Sequence, residues 1–539
     1  MTRRGMRRLA VCALAGALIA ALVPAGAQAK RTVTIRGRGW GHGIGMSQYG
    51  AYGRALKGRG ARQILTHYYS GAHVRKARMP RRVRVGLLQS RGAIHVTSQA
   101  RTGTGGRVVF KVKGGGVVAA GGVNASWRVE PSVTGGMRLF RNGVRVKRRG
   151  RIVFGGLERP LVATFARYGS RARITEKSLA YAYGKLQVAP YPTGSCGLSY
   201  CLRLVLALPM QKYVYGLGEV PASWPHAALR AQAIAARTYA LRRILADGQH
   251  REPCDCALYD SALDQVYSGD AKRTGSGSYW KDWKSSVDKT RSKVVLYEGS
   301  PIQALYSSSS GGHTEAVQNV WGGDPVPYLR GVRDGADAVA ANPNYRWRVT
   351  MPWSTLAAKL DAAFGVGPTL KRVKLVRPFG VSGRVTVVKS TDRGGVRVVG
   401  SAATARVSGW SVRSALGLKD TWFRLRVHIS VAAALEPGYE AAGGATGPLG
   451  RATSGPRRTA AGGWVQRFEG GSLYRSPDAP APVALWGDID ERYRELGGPG
   501  SPCGFPTSVP RTRGDGLEAS FENGTIEGLE TLCTRRLRR

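Results

Sequence analysis

Acidic residues are scarce. The 539-residue chain has 33 aspartates and glutamates against 82 lysines and arginines, a formal net charge of +49. A surface of this sign disfavours cationic ligands and attracts polyanions. The basic residues are scattered rather than gathered into one run, which reads first as a well-solvated surface with loose affinity for acidic polymers. Long apolar runs are also missing, with one exception. Leu9–Val23 follows Arg3, Arg4, Arg7 and Arg8 and precedes Ala27-Gln28-Ala29, the pattern of a secretory signal peptide over 1–29. No other stretch approaches the roughly 18 apolar residues of a membrane span. The expected location is therefore secreted and extracytoplasmic, with no transmembrane span after signal removal. In that setting the polyanions are acidic glycans and phosphate polymers of a wall, and nucleic acid is not the expected partner.

Cysteine is sparse as well. Apart from Cys12 in the leader there are Cys196 and Cys201, Cys254 and Cys256, and Cys503 and Cys533. Three local disulfides suit an exported chain, although six cysteines allow 15 connectivities. "HREPCDC" also brings His250, Cys254 and Cys256 within reach of one ion, a candidate structural zinc site. No cofactor is otherwise required.

What is abundant is glycine, and with it short strands. From Val74 to about Val188 apolar residues alternate with polar ones and are broken by glycine pairs, which predicts antiparallel strands. "SWPHAALRAQAIAARTYALRRILA" predicts one helix over about 226–246, with Pro225 near its start. A second helix is expected over Trp353–Phe364. Ala, Gly and Pro around 433–450 mark a boundary. Beyond it, "YEAAGGATGPLGRATS" from Tyr439 is echoed by "YRELGGPGSPCGFPTS" from Tyr493, and "VQRFEGGSLY" by "ASFENGTIEG". This tandem resembles LGFP repeats, modules of secreted wall proteins.

Two segments carry chemistry. Glu219 lies in a loop between the apolar "LRLVLALP" and the long helix, among Leu217, Val220, Pro221 and Trp224. Such surroundings favour the protonated carboxyl that a general acid needs, while the adjacent helix N-terminus favours the anion. "SSSSGGHTEAVQNVWGG" places Ser309, His313, Thr314, Glu315 and Trp321 on turns at a strand end, a composition suited to sugar hydroxyls and sugar rings. Asp260, Asp264 and Glu315 are candidate second carboxylates. "SYWK" and "SVDK" have the Ser-x-x-Lys spacing of penicillin-binding acyl-transferases, but no SDN or KTG motif accompanies them.

The Glu219 motif, "SSSSGGHTE" with "VWGG", "SGWSVRSALGLKDTWF" at 408–423, and the opening "GHGIGMSQYGAYGRALKGRGARQILTHYYSG" together resemble the stage II sporulation protein D family, SpoIID/LytB. The resemblance implies remodelling of peptidoglycan glycan strands, either as a lytic transglycosylase with Glu219 as acid/base or as a non-catalytic wall-binding protein or amidase enhancer with a wall amidase as partner. In the family's familiar order the glycine-histidine segment follows the "LGL…TWF" strand, whereas here it comes first, so a circular permutation is expected. His42, Ser47, Gln48 and Tyr49 would then join Trp224 at the substrate surface.

The expected fold is α+β: a strand-rich domain with one long helix beside the catalytic glutamate, an inserted β-rich region and a small C-terminal repeat domain. The expected divisions are 30–71 for the permuted segment, 72–190 for the β-rich region, 191–430 for the catalytic domain, 431–438 for a linker and 439–539 for the repeats.

Overall fold

The computed structural model describes residues 31–533 apart from 102, 104, 391, 392 and 529. The expected signal peptide, 1–29, lies outside the described residues. Among those described, no helix is long and apolar enough to cross a membrane. Helices and strands are mixed, as expected of an α+β chain. The described residues divide into two compact units, a larger one within 36–348 and 357–424 and a smaller one within 31–35, 349–356 and 425–533.

The larger unit is built on two sheets, antiparallel except where the edge strand Leu258–Tyr259 pairs in parallel with Val83–Arg91. One has seven strands, running in space from Leu258–Tyr259 through Val83–Arg91, Tyr200–Leu208 and Lys185–Pro192 to Val117–Gly121. The other has six and centres on Ile94–Ala100 and Ser126–Pro131. Alternating apolar residues such as Val83, Val85, Leu204, Leu206, Val96 and Trp127 bury into one shared core, as period-two patterning requires. The division expected at 190 falls inside the seven-stranded sheet, because Lys185–Pro192 pairs along its length with Tyr200–Leu208. The β-rich region and the glutamate-bearing region thus share one core.

The long helix runs His226–Asp247. Its alanines, among them Ala231, Ala233, Ala235 and Ala236, are buried, so neighbouring chain can pack close on more than one face. Arg237 is also fully buried. Its guanidinium donates to the carbonyls of Thr290 (2.8 Å) and Lys293 (3.1 Å), which fastens the helix to the following strand Lys293–Tyr297.

The glycine-rich opening segment docks in this unit. It leaves the strand Arg31–Arg38 at Arg38, whose N–H donates to Trp422 O at 3.0 Å. Trp40 N–H then donates to Ser309 O at 2.9 Å, and Met46–Ser47 pairs in parallel with Tyr306–Ser307. Glycine is required here for contact. At Gly43, with φ +72°, a Cβ would stand 2.4 Å from the guanidinium carbon of Arg384.

The smaller unit contains two four-stranded meanders, over Arg457–Trp486 and Arg511–Cys533. The repetition seen in sequence is repeated in bonding: Tyr439 Oη donates to Gly450 O at 2.7 Å, and Tyr493 Oη to Gly504 O at 2.5 Å. Val465, Tyr474 and Leu485 of the first meander share a core with Phe521 and Ile526 of the second and with Phe505, which precedes it. The segment expected as a linker, 431–438, packs into this unit instead. Ala432 and Leu435 are buried against Phe468 and Leu473, and Ala432 N–H donates to Gln466 Oε1 at 3.0 Å.

Candidate functional site

The loop between Tyr215 and the long helix is pinned by backbone bonds on both sides of Gly218: its own N–H to Val266 O (2.9 Å), and Ser268 N–H to Gly216 O (2.8 Å). These bonds set Glu219 at the mouth of a cleft of about 460 Å³ lined by Val220, Pro221, Ser223, Ser268, Lys272 and Tyr279. Glu219 is the one carboxylate among the described residues lining it.

Several donors converge on that carboxylate. Val266 N–H donates to Oε1 at 2.7 Å, and the nearby Tyr306 hydroxyl and Gln48 amide favour its charged form. Tyr306 is itself part of a directed chain, in which Tyr213 Oη donates to Gln265 Oε1 (2.8 Å) and Gln265 Nε2 donates to Tyr306 Oη (2.7 Å). That chain leaves the Tyr306 hydroxyl proton uncommitted to Gln265. Burial raises the carboxyl above its ordinary value, and the donors together with nearby Lys272 pull it part of the way back. Burial likewise lowers Lys272 to about 8, against the opposing pull of Glu219.

The sequence-predicted residues separate into three groups. Gln48 donates to Gln232 Oε1 at 3.4 Å and lies near enough to Glu219 to favour its anion. Tyr49 lies beside Trp224, as does Tyr52, each with ring centroids 5.1 Å from the indole, an aromatic cluster next to the glutamate loop. His42 stands one layer back. Its Nδ1 accepts from Ile44 N–H at 3.0 Å, so the other ring nitrogen carries the proton that bonds the Tyr306 carbonyl. Burial keeps this imidazole neutral, its pKa lowered to about 4. Trp321 is exposed and packs on it at 5.2 Å.

Ser47, Ser309, Thr314 and Glu315 are placed differently from a sugar-contact surface. All four are buried, and their polar atoms are occupied by the protein. Ser47 Oγ and Ser309 Oγ each donate to Asp337, at 2.7 Å. Thr314 Oγ1 accepts from Val332 N–H at 2.8 Å. Glu315 accepts from Ala316 N–H, Asn319 Nδ2 and Val381 N–H at 2.9–3.0 Å, and from Ser382 N–H at 3.1 Å. His313 is half-buried and turns its Nδ1 to its neighbour's carbonyl, Thr314 O, at 2.6 Å. The serine-rich turn is therefore a brace behind the cleft.

The other candidate second carboxylates are spoken for too. Asp260 pairs with Lys177 at 2.8 Å. Asp264 takes Arg251 at 2.7 Å and Arg243 at 3.4 Å, and accepts from Tyr239 Oη at 2.9 Å.

The zinc reading meets a different arrangement. Cys254 and Cys256 are joined to each other, as are Cys196 with Cys201 and Cys503 with Cys533. Neither Cys254 nor Cys256 then offers a thiolate, and His250 Nδ1 faces Asp255 Oδ1 at 2.5 Å. Among the described residues no group of three His, Cys, Asp or Glu is placed to hold a metal.

Sequence reasoning misses the pair that holds the brace together. Asp337 gathers Ser47, Ser309 and Gly311 N–H (2.8 Å), while Asp334 accepts from Tyr68 Oη and Ser310 Oγ, each at 2.8 Å. Both aspartates are fully buried. Burial, helped by the neighbouring Asp337 charge, raises Asp334 to about 6. The folded unit thus holds this proton more tightly than the unfolded chain. Its stability is expected to fall as pH rises from the ordinary aspartate range through about 6. Denaturant midpoints measured across that range check this, with Asp334→Asn expected to flatten the slope.

A family model described as Stage II sporulation protein matches residues 201–297, and an LGFP repeat model matches 449–501. The chain thus carries a SpoIID domain and, toward its C-terminus, an LGFP repeat segment. It is 32% identical over 171 residues to Stage II sporulation protein D of Bacillus subtilis, covering 30% of this chain and 49% of that one. It is 36% identical over 141 residues to the Amidase enhancer of Bacillus subtilis, covering 26% and 17% of the two chains. With an uncharacterized protein of Brachyspira hyodysenteriae it shares 36% identity over 209 residues, 38% of this chain and 51% of the other. The chain spans about half or less of the length of these three relatives. The SpoIID match contains Glu219, the long helix and Gln265, but ends before Tyr306 and does not include Gln48.

Proposed function

We propose that this chain cleaves peptidoglycan glycan strands as a lytic transglycosylase, with Glu219 as the single acid/base. The observation that carries the reading is a lone cleft carboxylate raised by burial and held by Val266 N–H, while Asp260, Asp264 and Glu315 are bound up elsewhere. A hydrolase of the usual kind needs two free carboxylates, one on each side of the bond. One suffices when the sugar supplies its own nucleophile. Glu219 donates its proton to the glycosidic oxygen as the bond from C1 to that oxygen breaks. The resulting carboxylate then takes the proton of the sugar's 6-hydroxyl as O6 bonds to C1, closing a 1,6-anhydro ring and restoring the acid without consuming water.

The Tyr49–Trp224 pair offers an aromatic face for a sugar ring, and the repeat unit holds the chain to the wall. The bond from Arg38 to Trp422 and the reach of Gln48 to Glu219 support a circular permutation: a segment displaced in sequence restored to its neighbours in space.

The Tyr306 hydroxyl stabilises the charged form of Glu219. Tyr306→Phe is therefore expected to raise the carboxyl's pKa and move the alkaline limb of the pH–rate profile to higher pH, since the acid stays protonated further up. A profile unchanged in position counts against this coupling.

A second reading rests on the similarity to the Amidase enhancer: the chain binds wall and activates an amidase without cutting glycan. Incubating the purified chain alone with glycan stripped of its stem peptides separates the two. Soluble fragments released without an amidase support the first reading, and release only when an amidase is added to intact wall supports the second.

A further inference from the structure

On the larger unit lies a groove of about 670 Å³ whose lining includes Arg36, Arg38, Arg346, Arg348 and Arg424 and no carboxylate. None of these arginines makes an ion pair with a described residue. Four of them, Arg36, Arg346, Arg348 and Arg424, are exposed. Isolated surface arginines are ordinary in so basic a chain, but these share their groove with two fixed indoles. Trp347 lies flat on the backbone of Gly37, where a Cβ would come within 2.1 Å of the ring, and its Nε1 donates to Gly39 O at 2.8 Å. Trp422 is held between two guanidiniums, with Arg384 at 5.2 Å and Arg38 at 5.3 Å from its ring. Arg384 belongs to the buried brace, so that indole cannot swing away freely.

We infer that this groove binds a polymer of sugars joined by phosphodiesters. Planar guanidiniums meet phosphate oxygens in a two-pronged fit that lysines cannot make. Indole faces accept the apolar face of a sugar ring, and the missing carboxylates leave nothing in the groove to repel a polyanion. A groove lined by both indoles and guanidiniums suits a chain that carries both carbohydrate and phosphate. The inference rests on the reading of this chain as a wall protein, which favours such a polymer over nucleic acid. It adds a binding surface that the acid/base site does not need.

The test uses a fluorescent oligomer of phosphodiester-linked N-acetylglucosamine and the full chain, with binding followed by anisotropy across a salt series. Arg346→Glu with Arg348→Glu is expected to weaken binding at least about tenfold and to make the salt dependence shallower by about one to two in log–log slope. Arg81→Glu with Arg82→Glu removes the same charge at two other exposed arginines and is expected to cost less than about threefold. Trp347→Ala is expected to weaken binding of this sugar phosphate more than that of inorganic polyphosphate. Glu219→Gln is expected to bind as the wild type does, so a failure of the cleavage reading and a failure of this one are read separately. Equal losses from the two charge-reversal pairs would reduce the effect to bulk charge and overturn the groove. Single-stranded DNA binding as tightly, with the same loss in the Arg346/Arg348 variant, would overturn the carbohydrate assignment.

Discussion

Glu219→Gln is expected to lower the rate of glycan fragment release by at least about a hundredfold, the range supplied by a positioned general acid and base. Glutamine preserves the shape and still accepts from Val266 N–H, whose 2.7 Å bond to Oε1 orients the side chain. It cannot give up a proton at the leaving oxygen or take one from an incoming hydroxyl. Because the cleft holds no second carboxylate among its described lining residues, no neighbour is placed to substitute. Binding to wall glycan is expected to persist, so the loss should fall on kcat rather than KM. Residual activity within about fivefold of wild type would remove Glu219 from the mechanism.

The second large effect is on stability. Asp420→Ala is expected to destabilise the larger unit by about 3–5 kcal/mol, the usual cost of breaking one side of a buried ion pair. Arg384 and Asp420 are both essentially without solvent contact and meet at 2.8 Å. The same guanidinium donates to Ser310 O and His313 O, each at 2.8 Å, and Asp420 Oδ1 accepts from Trp422 N–H at 2.9 Å. Removing the carboxylate strands a cation against the backbone of Gly43 and the serine-rich turn. Urea unfolding followed by tryptophan fluorescence measures the change, and a loss below about 1 kcal/mol contradicts a structural role for the pair. Activity should fall as well, because the opening segment carries Gln48 to Glu219.

The long helix is legible in the sequence, written in Pro225 and the alanine-leucine spacing after it. So is the repeat unit, in the echo of Tyr439 by Tyr493, whose hydroxyls make equivalent bonds. Glu219 stands out as a carboxylate in an apolar loop. The serine-rich turn misleads for a physical reason. Hydroxyls that satisfy a buried carboxylate and hydroxyls that meet a sugar have the same composition, and only burial tells them apart. Ser309 and Thr314 look like ligand contacts because Asp337 and Val332, their partners, are distant in sequence or ordinary in type. Asp334 and Asp337, three residues apart in "RDGAD", carry no signal beyond that of a polar turn. Gln265 and Tyr306 are single residues whose role arises only when three separate loops meet. A boundary at 190 fails because the change in composition there follows the surface, while the sheet pairing of Lys185–Pro192 with Tyr200–Leu208 is a property of the folded chain.

A single carboxylate that cuts the glycan by turning the sugar's own hydroxyl on its anomeric carbon leaves a signature in the products. Mass spectrometry of fragments released from peptide-stripped glycan by the purified chain, run in water enriched in heavy oxygen, reads that signature most directly. The expected products are 1,6-anhydro termini without heavy oxygen, abundant with the wild type and nearly absent with Glu219→Gln. Reducing termini that carry the heavy label would show that water is the nucleophile and contradict the single-carboxylate mechanism.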